Sequence, residues 1–180
     1  MKVIFFIFLF NSALIFAGET ISPFSMLELT SNQIQNFDFS KSSNPTVVAF
    51  ISKDCPCSKG NIPYLKELAN QFKQFNFLLI HAKKDTPNLE VTNYLKANQV
   101  NFQAVNDDKL IITNAFKALK TPHIYIVNQK NEIIYNGAVS NSTFPDDASE
   151  FYLKNALNNL ASNQPIKKNE TKTMGCFIVR

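Results

Sequence analysis

The hydrophobic pattern near the middle of the chain predicts a βαβ unit. Residues 46–51 read TVVAFI, a continuous β-branched and aromatic run that is typical of a central strand covered on both faces. A second apolar run, FLLI, follows at residues 77–80. Between the two runs, apolar residues recur at the three- and four-residue spacing of an amphipathic helix: Ile62, Leu65, Leu68 and Phe72. This order predicts two parallel strands joined by a helix that packs on them.

The second half of the chain predicts two more helices, a β-hairpin and a final helix. Thr86 and Pro87 would begin one helix, with Thr86 as its cap, and another would follow Asp107-Asp108. Residues 123–127 and 132–139 are strand-like runs joined by NQKN, which is the pattern of a hairpin. The inward positions predicted for the helices are Val91, Tyr94 and Leu95, then Ile112, Ala115, Phe116 and Leu119, and finally Phe151, Leu153, Ala156, Leu157 and Leu160.

The fold class predicted by these elements is α/β. A central mixed β-sheet would be flanked by helices, with a β-hairpin and a helix at the C-terminal end. Residues 46–161 would form this domain, residues 18–45 an N-terminal extension with one plausible edge strand at 26–29, and residues 162–180 a polar tail that carries Cys176.

The first residues of the chain have the pattern of a signal peptide. Residues 1–17 contain a lysine, an apolar stretch interrupted by polar residues, and a cleavage site after Ala17. The apolar stretch is shorter than the about 20 residues that span a bilayer, so no stable membrane anchor is expected after cleavage. The protein is therefore predicted to be exported, periplasmic or secreted, where thiols can be oxidised.

Composition favours one globular domain and argues against nucleic acid as a partner. Hydrophobic residues make up 45% of the 180 residues and include 17 Phe, which is enough to build a core. The formal net charge is +4, but the lysines are scattered and the only arginine is Arg180, so no basic stripe could follow a phosphate backbone. Three cysteines are too few for a disulfide scaffold, and at least one of them stays unpaired in a monomer.

The candidate chemistry lies in the Cys-Pro-Cys-Ser sequence of residues 55–58, directly after the central strand and before the first helix. A cysteine at the start of a helix meets free backbone N–H groups and the positive end of the helix dipole, and both favour the thiolate. An isolated cysteine in a core is usually inert. Here the order of strand, motif and helix instead predicts a reactive cysteine at position 55.

These features together resemble the thioredoxin fold. The chain has a strand that ends in a Cys-Pro pair, Pro63 eight residues after Cys55, and Thr121-Pro122 before the predicted hairpin. The stretches AFKALKTPHIYIVNQKNEIIYNGAV and ETKTMGCFIV are similar to exported peroxiredoxin-like redoxins of the alkyl hydroperoxide reductase/thiol-specific antioxidant type. The resemblance covers roughly residues 46–180.

The resemblance implies a place for the residues of the site. Cys55 takes the position of the nucleophilic first cysteine, and Ser58 occupies the position where thioredoxins keep the resolving cysteine. Pro122 would be cis, its loop would face the nucleophile, and the backbone of Thr121 would pair with an incoming peptide. His123 follows this loop, and a histidine at the start of a strand is more often a hydrogen-bonded structural residue than a base. The residues expected to shape the site are Pro56, Ser58, Thr121, Pro122 and His123.

Since the usual resolving cysteine is missing, a mixed disulfide on Cys55 must be resolved by Cys57, by Cys176 or by a thiol of another molecule. Cys57 is only two residues away, and a ring that small would strain the disulfide. The tail could reach most of the domain, because Cys176 lies about fifteen residues beyond the last helix at about 3.3 Å per extended residue. Cys55 is therefore favoured over Cys57 as the partner of Cys176, which would be a resolving cysteine or a structural clamp.

Three functions remain open at this point. Thiol–disulfide oxidoreductase activity ranks first. The peroxiredoxins that the chain resembles also polarise the peroxide with an arginine and with a Pro and a Thr or Ser ahead of the cysteine; this chain offers Ser52 but has Val48 in place of the Pro and no core arginine. A thiol peroxidase therefore ranks second. A non-catalytic carrier of a soft ion such as Cu(I), held by Cys55 and Cys57 with a third cysteine or His123, ranks third.

The expected partners follow from this ranking. They are a disulfide or peroxide substrate, either a protein or a small molecule, and a thiol protein that donates electrons. No organic cofactor is implied, and no resident metal is predicted.

Overall fold

The computed structural model describes residues 19–180, and the signal peptide predicted at residues 1–17 lies outside them. The strands are β1 (Phe24–Glu28), β2 (Gln33–Phe37), β3 (Thr46–Ile51), β4 (Asn76–His81), β5 (Gln103–Asn106), β6 (Lys120–Thr121), β7 (His123–Val127), β8 (Ile133–Gly137) and β9 (Cys176–Phe177). The α-helices are α1 (Pro56–Gln71), α2 (Asn88–Ala97), α3 (Ile111–Ala115) and α4 (Tyr152–Ala161), and short 3₁₀ helices lie at Phe39–Lys41 and Pro145–Asp147.

Within residues 19–180, seven strands form one mixed sheet in the order β2-β1-β5-β4-β3-β7-β8. β3 lies next to the parallel strand β4 and to the antiparallel strand β7, and β4 is parallel to β5. β7 and β8 form the predicted antiparallel hairpin. The α/β class, with a central mixed sheet flanked by helices, is thus confirmed.

Both faces of β3 are covered, which explains its continuous apolar sequence. Val47 and Ala49 face the side of the sheet on which α1 and α4 pack. Val48 and Phe50 face the opposite side, where they meet Phe116 beyond α3. The end of β3 is therefore fixed from both faces of the sheet, and the residues that follow it begin from a rigid position.

The N-terminal segment adds two strands to the sheet, of which the sequence predicted one. β1 pairs antiparallel with β2 along its whole length and contacts β5 through the pair Glu28 and Val105. The expectation of an edge strand at 26–29 is wrong in one respect, because β1 lies inside the sheet and β2 forms its edge.

Two helix predictions are also wrong in detail. Pro87, not Thr86, occupies the N-cap position of α2, and Thr86 is buried with its carbonyl accepting a hydrogen bond from Asn106. Helix α3 ends at Ala115, and Lys117 has a positive φ of 55° that breaks the helical path. As a result Ala115 and Leu119, both predicted to point inward, are exposed.

The C-terminal tail returns to the domain. Thr171 hydrogen-bonds to the backbone of Asn136 and Ala138 at the end of β8. Further on, β9 pairs antiparallel with β6. Ile178 is buried in the same apolar cluster as Phe50. The tail has no periodic pattern because these separate anchors, and not a helix or a long strand, hold it in place.

Candidate functional site

Cys55 lies where β3 ends and α1 begins. It occupies the N-cap position of α1 with an extended backbone, and Pro56 follows at the first helical position, where a missing N–H is tolerated. The Cys55 N–H donates to the Ser52 carbonyl at 3.1 Å, and the Cys55 carbonyl accepts from the Lys59 N–H at 3.0 Å. These bonds fix the cysteine, which is 3% exposed, at the end of the buried strand.

The structure joins Cys55 to Cys176 in a disulfide across a sequence separation of 121 residues. Their Cα atoms are 6.0 Å apart, within the ordinary range for a disulfide. Cys55, and not Cys57, is thus the partner of Cys176, as the sequence favoured. The structure therefore places the tail cysteine directly on the residue expected to be the nucleophile.

Cys57 is the unpaired cysteine among the described residues, and it is partly exposed. Its sulfur and those of Cys55 and Cys176 all lie within 4.8 Å of one another. The extended backbone of Cys55 explains this proximity, because the two side chains of the Cys-Pro-Cys sequence do not diverge as they would within a helical turn. The three sulfurs could exchange disulfide bonds or, once reduced, bind a soft metal ion.

The loop expected to face the nucleophile does so. The bond between Thr121 and Pro122 is cis. The carbonyl oxygen of Thr121, a residue that is 1% exposed, lies 3.1 Å from the Cys55 sulfur. Thr121 pairs with Cys176 in the β6–β9 ladder, so the backbone edge that the resemblance assigns to an incoming peptide is occupied by this chain's own tail.

Ser58 and His123 have structural hydrogen bonds in the site. Ser58 is fully buried, and its hydroxyl oxygen accepts from the Ser52 N–H at 3.1 Å. The Nε2 atom of His123 hydrogen-bonds to Asn136 at 2.6 Å, while Nδ1 lies 3.3 Å from the Tyr125 hydroxyl. Burial lowers the pKa of His123, against the opposing effect of the bond to Asn136. The neutral imidazole is thus favoured, and each of its nitrogens has a hydrogen-bond partner in Asn136 or Tyr125.

Charged residues form a network beside the disulfide. Lys53 pairs with Asp54 at 3.1 Å and with Glu90 at 3.0 Å, and Lys83 pairs with Asp54 at 2.6 Å. The hydrogen bond from Lys83 lowers the pKa of Asp54 despite the opposing effect of burial, and Lys53 lowers it further. Because carboxylates hold both lysines, neither ammonium group is an unpaired positive charge for an oxyanion or a peroxide.

A cleft of about 250 Å³ opens beside the disulfide. Both bonded cysteines line it, together with Asp54 and Lys83 on the domain side and Ile178 on the tail side. The bond therefore has a path to small reactants even while the tail is in place.

Sequence reasoning missed two residues that position the tail and the motif. Gly175 has a positive φ of 137°, and a Cβ at this position would collide with the Thr121 carbonyl. Asn61 is buried on α1, and its amide donates to the carbonyls of Cys57 and Thr143 at 2.8 Å each. The glycine directly before Cys176 was a signal that could have revealed the close approach, whereas no sequence signal marks Asn61.

Comparison with known structures shows which fold the chain has. The chain is similar to an uncharacterised conserved protein of Geobacillus kaustophilus, with 22% identity, coverage of 91% of each chain and a TM-score of 0.81. It is also similar to a hypothetical protein of Sinorhizobium meliloti, with 18% identity, coverage of 89% of this chain and 92% of the other, and a TM-score of 0.79. A secreted Mycobacterium tuberculosis disulfide oxidoreductase, described as homologous to Escherichia coli DsbE, matches with 19% identity, coverage of 61% and 79%, and a TM-score of 0.52.

The predicted thioredoxin fold is confirmed by this similarity to thioredoxin-fold structures. The chain belongs to the family described as "Domain of unknown function (DUF6436)", whose model matches residues 26–178. No curated protein matches the sequence. Among the helices of residues 19–180, none combines the length and the apolar character needed to cross a bilayer.

Proposed function

We propose that this protein is a thiol–disulfide oxidoreductase in which Cys55 is the attacking thiolate and Cys176 the resolving cysteine. The observation that carries the proposal is the disulfide between the cysteine at the N-cap of α1 and the tail cysteine, formed against the cis-proline loop. A purely structural disulfide has no need of a helix N-terminus, which favours the thiolate of Cys55 when the bond opens.

The reaction would proceed by two exchanges. The Cys55 thiolate attacks one sulfur of a substrate disulfide, and the second substrate sulfur leaves as a thiolate. The Cys176 thiolate then attacks the Cys55 sulfur, the bond to the substrate breaks, and the Cys55–Cys176 disulfide forms. The substrate gains two electrons, and a dithiol donor protein returns two electrons and two protons to the pair.

Cys57 offers another route for the second exchange. Its sulfur is within 4.8 Å of the Cys55 sulfur, so it could attack a mixed disulfide there without movement of the tail. The bond observed in the structure favours Cys176 for this step. The two routes predict a trapped mixed disulfide in different variants, Cys176→Ser for one route and Cys57→Ser for the other.

The test is reduction of a model disulfide, such as insulin, by the reduced protein and by three variants in each of which one cysteine is replaced by serine. Cys55→Ser should abolish exchange. Cys176→Ser should accumulate a mixed disulfide on Cys55 that mass spectrometry detects, while Cys57→Ser should leave the rate unchanged within about twofold. Undiminished turnover by Cys55→Ser would overturn the proposal, and a trapped intermediate in Cys57→Ser alone would assign resolution to Cys57.

Peroxide reduction remains the lower-ranked alternative. The guanidinium of the chain's only arginine, Arg180, donates to Asn114 at 3.1 Å and to the Ala118 carbonyl at 2.9 Å. Its donors are therefore held at α3 and are not directed at the Cys55 sulfur. Rapid consumption of peroxide that requires Cys55, followed by stopped flow, would reverse the ranking.

Soft-metal binding has one specific observation in its favour, the proximity of three sulfurs within 4.8 Å. In the reduced protein such a set suits Cu(I). Titration of the reduced protein with Cu(I) should then give one tight site that Cys57→Ser weakens by at least about tenfold. Equal affinity in the two proteins would exclude a site built from the three thiols.

We also propose that the protein is exported, on the basis of the pattern of residues 1–17. Export would place Cys55 and Cys176 where thiols can be oxidised. N-terminal sequencing of the protein from its native host should begin at Gly18, and a protein that retains Met1 would contradict cleavage.

A further inference from the structure

We infer that the C-terminal segment 175–178, Gly-Cys-Phe-Ile, is an internal copy of the substrate. It occupies the backbone edge of β6 on which a substrate strand would lie, and reduction of the Cys55–Cys176 bond frees that edge. The substrate class is then an extended protein segment with an oxidised cysteine, a glycine before it and a buried apolar residue two positions after it. This inference rests on the proposed function, because it specifies the substrate of the same cysteine.

The backbone contacts of the tail are those of an added strand. Cys176 pairs with Thr121, and Phe177 pairs with Lys120, in antiparallel register. The Ile178 N–H extends the ladder by donating to the Leu119 carbonyl at 3.0 Å. Main-chain hydrogen bonds of this kind provide affinity that does not depend on side-chain identity, which is how an exposed sheet edge binds an extended peptide.

The side chains of the segment alternate between the domain and solvent. Ile178 is 8% exposed and joins the cluster that contains Phe50 and Phe116, whereas Val179 is 77% exposed. Phe177 points outward, and the Lys120 ammonium lies 4.8 Å from the centre of its ring. Selectivity should therefore reside in the position two residues after the cysteine, because its side chain alone enters the core.

The position before the cysteine is restricted for a different reason. The backbone at Gly175 passes so close to the Thr121 carbonyl that a Cβ would collide with it. Glycine at this position of a substrate allows the same approach, and a residue with a Cβ does not. The tail sequence thus contains the residues expected at both positions of a substrate, Gly175 before the cysteine and Ile178 two positions after it.

The tail and a substrate strand compete for the same edge of β6, so the redox state of the Cys55–Cys176 pair controls substrate binding. When a donor dithiol reduces the Cys55–Cys176 disulfide, the donor becomes a disulfide and the two cysteines become thiols. The tail then keeps only its non-covalent anchors, and a substrate strand can replace it. After Cys55 has attacked the substrate disulfide, the returning tail displaces the substrate strand and brings the Cys176 thiolate to the mixed disulfide, which releases the substrate cysteine as a thiolate.

The experiment uses the full-length Cys57→Ser/Cys176→Ser protein, in which Cys55 is the remaining thiol. The probes are blocked peptides TMGCFIV, TMGCFSV and TMGCFIS, each carrying nitrothiobenzoate on its cysteine, so that attack by Cys55 releases a chromophore. TMGCFSV has serine at the position that corresponds to the buried Ile178. TMGCFIS, the matched control, has serine at the position that corresponds to the exposed Val179. The glutathione mixed disulfide with nitrothiobenzoate reports the reactivity of Cys55 without a binding strand.

TMGCFIV and TMGCFIS should react with similar rate constants, and TMGCFSV about tenfold more slowly, since burial of an isoleucine side chain supplies at least this factor. In the same protein, Ile178→Ser should loosen the resident tail and speed the reaction of TMGCFIV by about tenfold, and Val179→Ser should not. The ratio between peptides is measured on one protein, so it holds whether or not a tail substitution alters folding.

The outcomes separate the inference from the function on which it rests. Equal rates for TMGCFIV and TMGCFSV, in a protein that reacts with the glutathione probe, would overturn the inference and leave the proposed function standing. Failure of Cys55 to react with the glutathione probe would overturn the proposed function. Oxidised wild-type protein in the form of Cys55–Cys176 dimers would assign the edge to the tail of a second copy and would also overturn the inference.

Discussion

Ser58 connects the first turn of α1 to the end of β3. Its hydroxyl is fully buried and accepts the Ser52 N–H at 3.1 Å. A buried N–H that loses its only acceptor keeps the cost of its desolvation, so the bond matters more than its modest net strength suggests. Ser58 thus supports the strand end from which Cys55 follows.

Ser58→Ala should lower the free energy of unfolding by about 1–2 kcal/mol, because the Ser52 N–H would remain buried without its acceptor. Urea unfolding of the oxidised protein measures the change. Ser22→Ala, at an exposed position of the described chain, is the control and should change stability by less than about 0.5 kcal/mol. Equal effects of the two substitutions would show that the hydroxyl of Ser58 does not support the strand end.

Glu28 links the β1–β2 turn to β5 and gives the protein an acid-sensitive contact. Its carboxylate accepts the N–H groups of Thr30, Ser31 and Ala104 at 3.0, 2.7 and 2.9 Å. Burial raises the pKa of Glu28, but the hydrogen bond from Ala104 and those from the turn outweigh burial and lower the pKa to about 2. A pKa that is lower in the folded state means that the ionised carboxylate stabilises the fold.

This contribution should be complete above the unfolded pKa of about 4.5 and should be lost as the pH falls through about 2. Glu28→Gln is expected to lower the free energy of unfolding by about 3 kcal/mol at pH 7 and by much less at pH 2. Urea unfolding at a series of pH values checks this. Glu67→Gln, an exposed change on α1, is the control, and a pH-independent effect of Glu28→Gln would refute the assignment.

At the scale of elements, the β6–β9 pair depends on one backbone position. Gly175 has a φ of 137°, a region that other residues rarely adopt, and a side chain there would meet the Thr121 carbonyl. The two-residue strand β9 has few bonds with which to compensate for such a collision. The formation of the disulfide is therefore sensitive to a single methyl group.

Gly175→Ala should shift the thiol–disulfide equilibrium of Cys55 and Cys176 toward the dithiol by at least about fivefold, because the strained position costs more than about 1 kcal/mol. Alkylation of thiols after equilibration in glutathione buffers, with mass readout, measures the shift. Lys172→Ala changes an exposed position of the same tail and should leave the equilibrium unchanged. A Gly175→Ala protein that oxidises as readily as the wild type would contradict the tight approach.

The elements that the sequence predicted well are those whose side chains share one environment. All six residues of β3 are buried, so the strand is apolar throughout, and α1 presents Ile62, Leu65 and Leu68 on a single buried face. β2 escaped prediction because Phe37 is its one buried residue, while Ile34 is 71% exposed at the sheet edge. Its pairing with β1, not its own hydrophobicity, defines it.

The site divides in a similar way. Cys55 was recognisable because local sequence order, strand then motif then helix, already defines its position, and Thr121-Pro122 was recognisable through the resemblance to the thioredoxin fold. The buried position of Ile178 and the approach of Gly175 depend on where a chain without periodicity returns to the domain, which local patterns do not encode. The length of the tail established that Cys176 could reach Cys55, and only the fold shows the strand that brings it there.

At the scale of the whole molecule, the Cys55–Cys176 bond closes a loop of 121 residues between the end of a core strand and the C-terminal tail. A bond across a loop of this length restricts the unfolded chain strongly, so its reduction should lower the free energy of unfolding by about 2–5 kcal/mol. Urea unfolding with and without a reductant measures the difference. The Cys55→Ser/Cys176→Ser protein is the control, and reductant should not change its stability.

Thermodynamic linkage relates this difference in stability to the disulfide equilibrium. It can therefore distinguish a structural disulfide from a redox-active pair whose tail leaves β6 on reduction. The free energy by which the bond stabilises the fold equals that by which folding favours the bond over the unfolded dithiol, so weaker tail docking must reduce both quantities equally. Ile178→Ser should therefore reduce the stability gap between the oxidised and the reduced protein by a free energy equal to RT ln of the factor by which it lowers the disulfide equilibrium constant. Val179→Ser should change neither quantity. Loss of stability on Ile178→Ser that is equal in the two redox states would mean that Ile178 supports the domain in both, and that the tail does not leave β6 when the bond opens.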